Sequence, residues 1–304
     1  MAPVLILHLD GELRASVAAG RHNFFARVRE AVEPAGWQVR LAGDGPLARA
    51  ATRALGRFGM HHMRRPAGAR GLTVRRAYHY PFWAIERDPR RWEWDVARAT
   101  YRPETIDPAA AQAFYTRWQR HLFGSEAASA RRGDFAYVPL QGRLTRRRGF
   151  QSCSPLEMIA AVLAADPGRP VVAGLHPKER YGRAERAALA RLAGRHPRLR
   201  IETGDMARWL TGCSYVATQT SAAGFSAMFF RKPVVLFGRT DFHHIAFDVH
   251  RMGPEAALHA ARAGPAPDPA PYLWWYWQER SINAGRADAA AQISARLRAL
   301  GWPV

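Results

Sequence analysis

Val171-Val172-Ala173-Gly174-Leu175-His176-Pro177-Lys178-Glu179 is a short apolar run that ends in a polar, proline-broken rim. Its length and small or β-branched residues fit a buried strand, and proline at 177 forces the chain out of it. The same rhythm repeats around it. Phe135 to Leu140, Arg200 to Glu202, Tyr215 to Thr218 and Pro233 to Phe237 read as strands. Between them, Pro155 to Ala165, Ala184 to Ala193, Met206 to Leu210 and Ala222 to Phe230 have helical patterning. Strands alternating with helices imply a largely parallel sheet covered on both faces.

A second unit of this kind precedes it. Val4 to Leu9 is an apolar strand, Asn23 to Val32 has helical periodicity, and Trp37 to Leu41 follows the Pro34-Ala35-Gly36 break. Tyr78 to Tyr101 is aromatic-rich and proline-broken, with Tyr80-Pro81-Phe82-Trp83 and Trp92-Glu93-Trp94, and reads as a long loop. A helix is expected from about Pro108 to Phe123. Gly124 to Gly133 is small, polar and helix-breaking, and is the expected linker. Pro265, Pro267, Pro269 and Pro271 mark a second extended stretch before Trp274-Trp275-Tyr276-Trp277 and a terminal helix. The expected division is a first domain over 1–130, a second over 131–272 and a C-terminal helical segment over 273–304. A length of 304 residues suits two domains.

Composition excludes several classes. With 48% hydrophobic and 23% charged residues the chain is globular rather than disordered. No apolar run reaches the ~18 residues of a membrane span. The N-terminus lacks a basic start, so Val4 to Leu9 is a strand and not a signal peptide. Two cysteines, Cys153 and Cys213, in no metal-ligand spacing, argue against a disulfide framework and point to a reducing cytoplasm. The balance of 45 basic against 25 acidic residues gives a formal charge of +20. Only Lys178 and Lys232 are lysines, and arginine usage that lopsided fits genome composition as well as selection for binding. No nucleic-acid-binding module accompanies the charge, so no nucleic-acid partner is expected.

Ligands of open parallel sheets bind at the carboxyl ends of the strands. His176, Lys178 and Arg180 stand at one such end and could meet an anion; taken alone, His176 is more simply explained as a rim histidine capping a turn. Thr218-Gln219-Thr220-Ser221-Ala222-Ala223-Gly224-Phe225 passes from strand to helix, where free N–H groups and hydroxyls favour phosphate. Plain N-capping by Ser221 is the alternative. Phe237-Gly238-Arg239-Thr240-Asp241-Phe242-His243-His244 ends another strand. Adjacent residues of extended chain point opposite ways, so His243 and His244 cannot share one ion, and no metal is expected. His61-His62 lacks an acidic sequence neighbour. After Leu140 come Gln141, Arg143, Arg146, Arg147 and Arg148, which could line an anionic ligand's path or lie on a solvated surface. No G-x-G-x-x-G, Walker or G-x-S-x-G motif is present, and no cofactor is expected.

In this order, Val138-Pro139-Leu140-Gln141, Leu175 to Glu179, Thr218 to Phe225 and Lys232-Pro233-Val234-Val235-Leu236-Phe237-Gly238 resemble the capsule polysaccharide biosynthesis family, which includes Kdo transferases. The resemblance covers roughly Phe135 to Phe247; Tyr80-Pro81-Phe82-Trp83 matches only loosely. It implies a GT-B-like α/β architecture, with two Rossmann-like domains facing across a cleft and a C-terminal helix crossing back to the first. It also implies a nucleotide-sugar donor, CMP-linked, bound by Gln141, His176, Lys178, Thr220, Ser221 and Gly238. Tyr80, Trp83 and Arg143 are the expected acceptor or sugar contacts. Members of the family carry an aspartate a few residues after the position of Gln141, where this chain has Gly142-Arg143-Leu144-Thr145. Glycosyl transfer needs a base or a carboxylate nucleophile. Glu179 and Asp241 are the expected replacements, with Glu86 and Asp10 of the first domain as further candidates.

The expected function is a cytoplasmic glycosyltransferase of capsule or other surface polysaccharide, acting on an anionic glycan or glycolipid acceptor. Peripheral contact with the anionic inner face of the inner membrane suits the basic charge. The alternative is a non-catalytic glycan-binding or export-coupling protein on the same fold.

Overall fold

The computed structural model describes residues 2–304. The chain forms two compact units, Met1–Ala99 with Trp275–Val304, and Thr100–Trp274. Both are Rossmann-like, and the C-terminal segment returns to the first unit, the chain path of a GT-B fold.

In the first unit, β1 (Val4–Leu9), β2 (Gln38–Gly43), β3 (Phe58–His62), β4 (Gly71–Arg76) and β5 (Phe82–Glu86) share one sheet with the C-terminal pair Ile282–Asn283. Strands β2, β1, β3 and β4 run parallel in that order. β5 pairs antiparallel with β4 at that edge, and Ile282–Asn283 pairs antiparallel with β5. Leu5, Leu7 and Leu9 are fully buried, as the unbroken apolar run requires. The helix Asn23–Val32 buries Phe24, Phe25, Val28, Ala31 and Val32. The terminal helix Ala289–Ala299 adds Ile293 and Leu297 to the same core. Phe82 to Glu86 is not the loop expected there. Those five residues are buried on both faces, so their aromatic and apolar run is a covered strand without alternation.

The second unit carries an all-parallel sheet. Its strands are β6 (Phe135–Leu140), β7 (Val171–Leu175), β8 (Leu199–Thr203), β9 (Cys213–Thr218), β10 (Val234–Leu236) and β11 (Phe247–Asp248). Their spatial order is β11-β10-β9-β6-β7-β8. The change of unit falls at Ala99–Thr100, not near residue 130. The reason is the helix Pro108–Ala128, whose buried Tyr115 stacks on Phe229 at 5.9 Å and donates its hydroxyl to the Phe229 carbonyl at 2.8 Å. The expected linker is therefore partly helix. Gly124, at φ 56° and ψ −135°, breaks the regular path within it, a conformation that glycine adopts without a Cβ penalty. At the other end the second unit runs to Trp274, two residues past the expected division.

Each sheet has one point where the chain reverses its direction of travel across the strands. In the first unit the chain steps from β1 out to β2, then returns to β3 on the other side of β1. In the second it steps from β6 through β7 to β8, then returns to β9 beside β6. Crevices open at the carboxyl ends of such strand pairs, because the segments leaving them diverge to opposite faces.

Candidate functional site

Gln141 follows β6 and Thr220 follows β9, so both stand at the reversal point of the second unit. The Thr220 hydroxyl donates to Gln141 Oε1 at 3.2 Å. Around this pair the ends of β7 and β10 add their residues. The Tyr181 hydroxyl accepts the His176 N–H at 2.9 Å and donates to the Leu140 carbonyl at 3.3 Å, tying the ends of β7 and β6 together.

The His176 ring has a defined tautomer. The Lys178 N–H donates to its Nδ1 at 3.1 Å, so a neutral imidazole carries its proton on Nε2. His176, Lys178 and Glu179 are all exposed. A Cβ placed on Gly142 would meet Glu179 Oε2 at 2.7 Å. The Glu179 carboxylate therefore lies against the loop in which the expected aspartate is missing.

That loop is ordered by partners the sequence did not announce. Glu185 receives the Leu144 N–H on Oε1 at 2.6 Å and the Gly182 N–H on Oε2 at 2.7 Å. Leu144 itself is fully buried. Gln151, also fully buried, bridges to Gly238 and receives the Arg148 N–H at 2.8 Å. Ser152 N–H donates to the Phe237 carbonyl at 2.8 Å. Thus the run after β6 is laced to the helix Arg183–Arg195 on one side and to the end of β10 on the other. Glutamate three residues after Gly182, at the start of a helical pattern, is the signal that could have found Glu185.

The arginine run divides. Arg146 and Arg147 are exposed, with Arg147 Nε donating to the Gln151 carbonyl at 3.0 Å. Arg148 is partly buried, its guanidinium over the Phe150 ring at 5.0 Å, and its buried Nε and Nη2 have no hydrogen-bond partner. Burial, then the neighbouring Arg143, push its pKa down, while Glu179 opposes them. A buried guanidinium without acceptors is costly, and an anion bound there would relieve the cost. Arg143 is exposed and sits at φ 64°, a left-handed conformation that turns the chain out of β6.

The remaining expected site residues separate. Ser221 accepts the Ala223 N–H at 3.2 Å and caps the helix Ala222–Ala227. Gly238 serves the protein itself: a Cβ there would stand 2.9 Å from the Gln219 carbonyl oxygen and 3.0 Å from Thr220 Cγ2. Asp241 is fully buried and receives the Thr240 hydroxyl at 2.9 Å, so it presents no carboxylate to a substrate. Tyr80 and Trp83 belong to the first unit. Tyr80 is 49% exposed, and its hydroxyl receives Asn23 Nδ2 at 3.1 Å. Trp83 is 1% exposed and stacks on Phe24 at 4.5 Å, leaving no free face for a sugar ring. Glu86 is buried and paired with Arg296 at 2.9 Å, a structural ion pair. Among the described residues no cluster of three histidine, cysteine or acidic side chains could hold a metal ion. No helix among them is long and apolar enough to cross a membrane.

Residues 109–249 match the sequence model of the capsule polysaccharide biosynthesis protein family. The matched segment runs from the helix Pro108–Ala128 to the end of β11 and holds every residue gathered around Gln141 and Thr220. No curated protein sequence matches the chain.

Solved structures similar to the chain include two of Thermosulfurimonas dismutans KpsC. The first, a beta Kdo 2,7 transferase, is 12% identical over 81% of this chain and 83% of its own, with a TM-score of 0.49. The second, a beta Kdo 2,4 transferase, is 13% identical over 85% and 89%, with a TM-score of 0.44. The Methanocaldococcus jannaschii UDP-GlcNAc 2-epimerase, solved with UDP-GlcNAc and UDP, is 10% identical over 98% and 100%, with a TM-score of 0.39.

Proposed function

We propose that this protein is a glycosyltransferase of capsule or other surface polysaccharide biosynthesis, taking a sugar from a CMP-linked donor to an anionic glycan or glycolipid acceptor. The observation that carries this reading is the Gln141–Thr220 hydrogen bond at the reversal point of the family-matched sheet. The groups at the neighbouring strand ends have the chemistry such a donor needs. His176 Nε2–H and the Lys178 ammonium meet the phosphate, and Thr220 and Ser221 lie beside it. Arg148 meets a second anionic group of the donor, its unpartnered nitrogens supplying the hydrogen bonds.

Glu179 supplies the carboxylate. Lying against Gly142, it stands beside the loop where family members carry aspartate, but it arrives from the end of β7 instead of β6. A carboxylate there stabilises the positive charge that develops on the sugar as its bond to phosphate breaks, or attacks the anomeric carbon directly. The excess of arginine fits a cytoplasmic enzyme working on anionic reactants beside an anionic membrane face.

Thermal shift with CMP, CDP, UMP, UDP and GDP tests the reading, because a ligand that binds only the folded state raises its stability. The expected result is a shift with CMP that His176→Ala abolishes while the fold remains intact. Wild-type binding by His176→Ala would remove the donor-site assignment. No shift with any nucleotide would favour a glycan-binding protein on this fold.

A further inference from the structure

The helix Pro46–Ala54 of the first unit turns its apolar side to water. It buries Thr52, whose hydroxyl lies 3.0 Å from His8 Nε2, and the buried His8 stacks in turn on His61 at 4.5 Å. The opposite side, at positions 47, 50, 51, 54 and 55, is leucine and alanine throughout and is exposed. A surface helix of a globular domain is expected to do the reverse. Leu47 is 87% exposed, Leu55 61%, and Met63, just past β3, 51%. These are the three most exposed large apolar side chains among the described residues, and they share one face.

The segment from Met63 to Arg70 lies along this helix. Arg64 Nε donates to Asp44 Oδ2 at 3.0 Å ahead of the helix, and Arg70 Nη1 donates to the Gly56 carbonyl at 2.5 Å beyond it. A Cβ on Gly68 would stand 3.1 Å from Arg53 Cγ. The apolar side chains are therefore ringed by Arg53, Arg64, Arg65 and Arg70. Alongside, at the amino end of β4 and the carboxyl end of the antiparallel β5, a cavity of about 360 Å³ is lined by Arg65, Arg87 and Arg90 and by the chain around Gly68. Asp88 is the carboxylate of that lining, held by Arg90 through Nε at 2.8 Å and Nη2 at 2.5 Å. Arg87 donates to the Leu300 carbonyl, and neither it nor Arg65 is ion-paired among the described residues.

We infer that this face docks on an anionic phospholipid bilayer. Leu47, Leu55 and Met63 sit at the boundary of headgroups and acyl chains, and a lipid phosphate enters the cavity of Arg65, Arg87 and Arg90. Exposed apolar side chains ringed by arginine match such a surface in both respects. The leucines leave water, and the guanidiniums donate in a fork to phosphate while their stems lie over apolar surface. A second copy of the chain matches it poorly, because the same face on both copies would bring like charges together. Nucleic acid would meet the charge but leave the three apolar side chains in water. The inference gives the membrane contact of the proposed function a surface and rests on that part of it. Its test needs no nucleotide, so its failure and that of the donor reading are distinguishable.

The test is co-sedimentation of the full chain with vesicles of phosphatidylcholine alone and of phosphatidylcholine carrying about one-third phosphatidylglycerol. Wild type should partition at least about tenfold more strongly to the anionic vesicles. Leu47→Gln with Leu55→Gln should weaken that partitioning by about tenfold, and Arg65→Gln with Arg90→Gln by about as much. All four residues are exposed, so thermal unfolding of both variants should match wild type. Arg186→Gln with Arg191→Gln, exposed on the helix Arg183–Arg195, removes the same charge from the other unit and should change partitioning by less than about twofold. That control separates docking by this face from attraction of the whole +20 chain. Equal partitioning of wild type to the two vesicles, leucine variants that bind as wild type does, or an equal loss in the control overturns the inference. So does a wild-type dimer in sedimentation velocity that the leucine variant dissociates, which would assign the face to a second copy.

Discussion

Gln141 and Thr220 lie 79 residues apart in the chain and are joined by a hydrogen bond of 3.2 Å. The bond spans two adjacent parallel strand ends, β6 and β9, from which the chain departs toward opposite flanks of the sheet. A polar link at that place ties the loops that leave the two strand ends to each other.

Thr220→Val keeps the shape of the side chain and removes the donor to Gln141. A neutral intramolecular hydrogen bond contributes about 0.5–1.5 kcal/mol to folding stability, so the ligand-free variant should be destabilised by about that much, and it should bind nucleotide more weakly because Gln141 and Thr220 are no longer held together. Urea unfolding without ligand measures the first effect and calorimetric titration of CMP the second.

Gly238→Ala drives a methyl group against backbone rather than a flexible side chain, 2.9 Å from the Gln219 oxygen. Overpacking of that kind costs about 1–3 kcal/mol. The variant should lose stability in urea unfolding and bind nucleotide more weakly, because the displaced segment carries Thr220.

Trp83→Ala and Tyr80→Phe should separate cleanly. Removing a fully buried indole costs about 3–5 kcal/mol. Removing the half-exposed Tyr80 hydroxyl should leave stability within about 0.5 kcal/mol. Thermal unfolding of the two variants distinguishes a core residue from a surface one.

Acid should weaken the first unit through its histidines. Burial pushes His61 down to about 3 and His79 down to about 4, and burial lowers His8 as well. Unfolded histidine titrates near 6.5, so between that value and the folded ones the unfolded chain binds more protons. The stability from these neutral rings is present above pH 6.5 and is lost progressively as pH falls toward 3. Urea unfolding at pH 7.5 and pH 4.5 should show a loss on the order of 2 kcal/mol for His61 alone. An equal or greater stability at pH 4.5 would refute the buried neutral pair.

Much of the second unit was legible in the sequence, because β6, β7, β9 and β10 are short, largely apolar runs closed by proline, glycine or a polar cluster. The strand ends at Gln141, His176, Thr220 and Gly238 could be placed for that reason. Phe82 to Glu86 was not legible as a strand: a run covered on both faces lacks the alternation that marks a half-buried one, and proline precedes it. The division of units was misplaced for a related reason. Gly124 to Gly133 has the composition of a linker, yet the helix before it buries Tyr115 against Phe229 and so belongs to the second unit.

The sequence by itself determined the local alternation of strand and helix, the absence of a metal-binding motif, and which polar residues end the strands of the second unit. Periodicity decides these, together with residue types that stop or start an element within a few positions. The tertiary structure alone decided which of those residues meet. Asp241 went inward, Trp83 became a wall in a core, and Glu179 came to rest against Gly142. It also set Asp10 beside His62, 52 positions away in sequence, because β1 and β3 pair in the sheet. Strand order is fixed by burial of whole faces against helices, a sum over the folded unit that no short segment contains.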